Sequence, residues 1–130
     1  MEEKILKVTM RHGFRAEMTF IPKSEGGRST PPILDRGCEY RPAIVLGDPN
    51  QRKPILRGNQ IIETYIGIGF RSYQHKVEFN EPLNAELVLV HPLPIYEKTI
   101  VEGATFTIRE GGFIVGFGKV TESLHIVPFP

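Results

Sequence analysis

The sequence predicts a small closed antiparallel β-barrel of about six strands, with one inserted excursion. Three observations carry that reading. No apolar stripe at i, i+3, i+4 lasts the ~11 residues of an average helix. Short alternating or β-branched runs recur instead, parted by turn signals about every 8–12 residues, and 13 Gly and 11 Pro supply those turns. The third observation is the stretch Glu102–Val120, EGATFTIREGGFIVGFGKV. Thr105–Ile108 alternates polar and apolar with the period of a half-buried strand, and Phe113–Val120 reads as its partner. Gly111 and Gly112 between them can take the positive φ of a tight turn. Gly116 and Gly118 leave one strand face bare, while Phe113, Val115 and Phe117 fill the other. A strand of that kind suits a tightly curved barrel.

Taken in order, residues 4–10 read as a first strand and Arg11-His12-Gly13 as a turn. Phe14–Ile21 alternates again and stops at Pro22, which cannot donate to a sheet ladder. KSEGGRSTPP is a loop, and Cys38–Leu46 returns to an extended pattern, closed by the turn Gly47-Asp48-Pro49-Asn50. Residues 51–60, QRKPILRGNQ, form a polar and basic excursion. Ile61–Phe70, Tyr73–Phe79 and Ala85–Val90 each read as strands. Pro92 and Pro94 interrupt before the final hairpin, and the tail HIVPFP is apolar enough to pack across the barrel.

At 130 residues the chain supports one domain, 1–130, with its own core. Hydrophobic residues make up 40% and charged residues 24%, a globular rather than a disordered balance. A net charge of +1 exerts no general pull on nucleic acid or membrane, so anion binding needs a local patch. The lone Cys38 rules out an internal disulfide and suits a reducing, cytoplasmic setting. MEEKILKV lacks a signal-peptide pattern, and no apolar run reaches the ~20 residues of a membrane span.

Catalytic signatures are not legible. A P-loop needs two glycines around four residues, then Lys and a hydroxyl. Gly118-Lys119-Val120 has neither the earlier glycine nor the hydroxyl, so GTP binding by that route is not expected. Gly67-Ile68-Gly69 lacks the third glycine of a dinucleotide fingerprint. His12, His75, His91 and His125 are scattered, without zinc-site spacing. No enzyme, cofactor or metal is expected.

Two strings remain unusual: Ser24–Thr30, SEGGRST, and Arg109-Glu110-Gly111-Gly112. Paired glycines let backbone N–H groups converge into an anion-holding nest, and arginine offers a fork that fits phosphate. Such groups suit an RNA backbone, which positions without reading bases. The plainer alternative is a pair of hairpin turns with solvated charges.

KSEGGRSTPP, Tyr40-Arg41-Pro42, LVLVHPLPI and EGATFTIREGGFIVGFGKV together resemble, in order and style, the C-terminal β-barrel of translation elongation factor Tu. The resemblance covers about Phe14–Pro42 and Asn84–Thr121. It implies a six-stranded antiparallel barrel that in full-length factors docks on a GTPase domain and contacts the tRNA T-stem and the exchange factor. Arg28, Arg109, Glu110 and Gly111 match positions in or beside the tRNA-facing loops. The sequence departs from that pattern at Ala43–Asp48, where the family carries a Thr-rich tRNA-touching segment. It departs also at Phe113, where a basic residue is usual, and over residues 47–83, which exceed the family's short connection. A barrel without an accompanying GTPase domain is the expectation.

Two functions follow. One is a stand-alone, non-catalytic module that binds tRNA or a translation-related protein through the Gly-Gly loops. The other is a protein-interaction domain with no RNA role, using the 47–83 insertion or the Pro-rich tail. A small-molecule-binding barrel is a third.

Overall fold

The computed structural model describes residues 9–34 and 40–129. Cys38 and residues 4–8 of the expected first strand fall outside that range. Strands β1 (Thr9–Phe20), β2 (Ala43–Leu46), β5 (Ile66–Tyr73), β6 (Leu83–Leu89), β7 (Thr105–Glu110) and β8 (Phe113–Phe129) make the main sheet. Two-residue strands β3 (Leu56–Arg57) and β4 (Gln60–Ile61) make a separate hairpin. The six main strands run in the order β1-β6-β5-β2-β7-β8, and β8 returns to pair with β1, so the ring closes. Each pairing is antiparallel. The all-β barrel with an inserted excursion is therefore what forms.

Alternation along β1 sends Phe14, Ala16, Met18 and Phe20 inward, where they meet Ile44, Ile68, Leu87, Phe106 and Ile108. Apolar burial on this scale dominates the folding free energy of a small domain. Gly116 and Gly118 face the same interior. A Cβ at Gly118 would lie 2.6 Å from the Glu17 carbonyl oxygen and 2.6 Å from a Phe106 ring carbon. The bare face is thus filled by neighbouring main chain and by Phe106. Across the hairpin, Ile108 pairs with Gly116 but Arg109 pairs with Ile114, so Val115 is the extra residue of a β-bulge. Val115 joins the core, and Phe113 stands exposed at the tip. The expected single face of Phe113, Val115 and Phe117 is split by that bulge.

Two further expectations are corrected, and two features go beyond what the sequence signals. Arg11-His12-Gly13 is no turn, because β1 runs straight through it. A Cβ at Gly13 would come within 2.8 Å of a Val127 methyl group, so this glycine accommodates the β8 tail. Residues 74–79 do not extend a strand, although Val77 still packs into the core. Tyr96–Thr99 forms one helical turn, α1, which the sequence did not signal. Finally, β8 continues through Pro128 to Phe129. Arg71 donates from Nε to the Pro128 carbonyl (2.7 Å) and pairs with the buried Glu86 (2.6 Å), which Arg15 also reaches at 3.0 Å. The tail does pack on the barrel, as a strand. Among the described residues no helix is long and apolar enough to cross a membrane.

Gly118→Ala is expected to lower stability by roughly 1–3 kcal/mol through overpacking, read as a shift in the urea midpoint. Gly112→Ala, whose added Cβ would find nothing nearer than 3.9 Å, is expected to stay within ~0.5 kcal/mol. Equal midpoints for the two variants would contradict the close-approach geometry.

Candidate functional site

The first Gly-Gly loop leaves β1 through Pro22 and makes one 3-10 turn, Lys23–Glu25, ended by Gly26 at φ 91°. Its amides bond inward. Glu25 and Gly27 donate to the Pro22 carbonyl, Gly26 to Lys23 and Arg28 to Ile21. An anion nest needs convergent free N–H groups, and these four are already satisfied by the loop itself. The expected nest at this loop is therefore corrected. The second turn is tighter, with Gly111 at φ 57° carrying the left-handed position.

The two loops meet. Arg28 bonds through Nη1 to Glu110 Oε2 at 2.7 Å, across 82 residues of sequence. The Tyr40 hydroxyl donates to the same oxygen at 2.7 Å, and the Arg28 guanidinium lies 5.3 Å from the Tyr40 ring centroid. Tyr40 is anchored below by stacking on Phe70, centroids 6.0 Å apart. Burial, then its bond to the Glu110 carboxylate, pushes the Tyr40 hydroxyl well above its ordinary pKa, so it remains a donor. Three strings that are distant in sequence thus converge at one end of the barrel.

Arg109 behaves otherwise. It points to the outer side of β7, yet its side chain is fully buried. Nη1 and Nη2 each bond a Glu63 oxygen at 2.9 Å, Nε bonds Thr107 Oγ1 at 2.9 Å, and Nη1 also reaches the Tyr65 hydroxyl at 3.3 Å. As an RNA-facing cation it is corrected, because no donor edge of this guanidinium is left toward solvent. Glu63 comes from the excursion. It also accepts from Gln51 Nε2 at 2.9 Å and from the Ile55 amide at 2.8 Å. The Arg109 guanidinium, ahead of those other donors, holds the Glu63 carboxyl at about 2, far below its ordinary 4.5.

The excursion is fastened along the β7–β8 hairpin at further points. Thr105 and Gly47 exchange bonds, Tyr65 donates to the Gly111 carbonyl at 2.9 Å, and Arg52 sits 5.1 Å from the Phe117 ring centroid. The insertion and the Gly-Gly turn are consequently one surface. Shallow clefts flank the Arg28–Glu110 pair. One, of about 320 Å³, is lined by Lys23, Gly27, Arg28, Ser29, Glu110, Phe113 and Val115. The other, of about 340 Å³, includes Tyr40, Arg41, Pro42, Tyr65 and Gly111.

Of the four expected site residues, Arg28, Glu110 and Gly111 lie together on this face, and Arg109 lies beneath it. Sequence reasoning missed Glu63, Tyr65, Lys23, Arg41 and Phe113. Glu63 carried one signal: a lone carboxylate closing an excursion otherwise free of acids from Gln51 to Ile62. Chemically, both carboxylates and both arginines are committed to each other. The face offers shape, apolar side chains and the exposed cations Lys23 and Arg41. No family model matches the chain.

Removing one partner of a buried pair strands the other charge, so Glu63→Gln is expected to destabilise by roughly 3–5 kcal/mol. The bridge contributes fully above the ordinary carboxyl value of 4.5 and is lost as pH falls through about 2. Across that window the parent should therefore lose roughly 3 kcal/mol more than Glu63→Gln, measured by urea unfolding at a series of pH values. Parallel acid profiles for the two proteins would contradict the bridge.

Proposed function

We propose that this chain is a non-catalytic binding module, built like the C-terminal barrel of elongation factor Tu, that engages a partner protein. Its contact face is the barrel end where the SEGGR loop, Tyr40-Arg41-Pro42, the REGG turn and the insertion come together. The observation that carries the proposal is this convergence, with Arg28, Tyr40 and Glu110 joined at 2.7 Å contacts. A binding surface assembled from loops on a rigid sheet scaffold is the common arrangement in β proteins. The resemblance supports a translation-related partner in the cytoplasm.

A protein fits this face better than a phosphate backbone does. The amides of Glu25, Gly26, Gly27 and Arg28 are satisfied within their own loop, Arg109 is buried, and Arg28 is neutralised by Glu110. A second reading, contact with tRNA, is favoured by Lys23, Ser29 and Arg41, which stand exposed around the same clefts.

Photocrosslinking in cells separates the two. A photoreactive p-benzoylphenylalanine in place of Arg41 is expected to give a discrete protein adduct. The same group in place of Glu97, in the helical turn at the opposite end of β7, is expected to give none. An RNA adduct at position 41, with tRNA affinity falling steeply in salt, would instead establish the second reading. Identical adduct patterns at positions 41 and 97 would contradict both.

A further inference from the structure

We draw no further inference here: the strongest candidate, the exposed apolar face that Leu56 and Ile61 of the β3–β4 hairpin form beside the Gly112–Phe113 turn, carries nothing because nothing in the structure shows what covers it.

Discussion

The buried ion pair between Arg109 and Glu63 governs this molecule more than any other single contact. Desolvating two charges costs several kcal/mol each, and only good geometry with further hydrogen bonds offsets that. Here the geometry is bidentate at 2.9 Å, and Thr107, Tyr65, Gln51 and the Ile55 amide complete both partners. Such a pair adds little net stability over apolar packing, but it fixes register. It makes one position of the excursion far better than its alternatives, because any shift would leave a buried guanidinium without its carboxylate.

That constraint joins two regions the sequence presents separately. The insertion reads as a loose polar loop, and the REGG turn reads as a loop tip. Joined through Arg109, Tyr65 and Gly111, they become the two sides of one face, with Phe113 at its edge. The SEGGR loop reaches the same face from the other direction, through Arg28 and Glu110. Charge at this end is therefore largely internal, and what faces outward includes aliphatic surface and the exposed cations Lys23, Arg41, Lys53 and Arg57.

The barrel itself was legible because its causes are local. Alternation in β1 and β7, the turn glycines and the bare face of Gly116 and Gly118 each act within a few residues. The misses have non-local causes. Arg109 does point away from the core, but outward is not the same as exposed when a segment 46 residues away folds over it. The pairing of Arg28 with Glu110 is invisible for the same reason, although the two loops are alike in composition. Pro22 ends its strand as expected, yet Pro128 does not end β8. The Arg71 bond to the Pro128 carbonyl holds that tail in place. The bulge at Val115 shifts the face of every residue before it in β8, and two identical turn glycines give no sign of it.

Amide hydrogen exchange followed by NMR tests the central claim most directly. The Ile55 amide donates to Glu63 and the Ile62 amide to the Ile55 carbonyl, so both hydrogen bonds depend on the excursion staying fastened to the barrel. In the parent protein these two amides should be protected well beyond an exposed loop. In an Arg109→Met variant they should lose that protection together, while Ile68 and Val120 in the barrel keep theirs. Free exchange at Ile55 and Ile62 in the parent would contradict the account, because the insertion would then be a loose loop and the shared face would not exist.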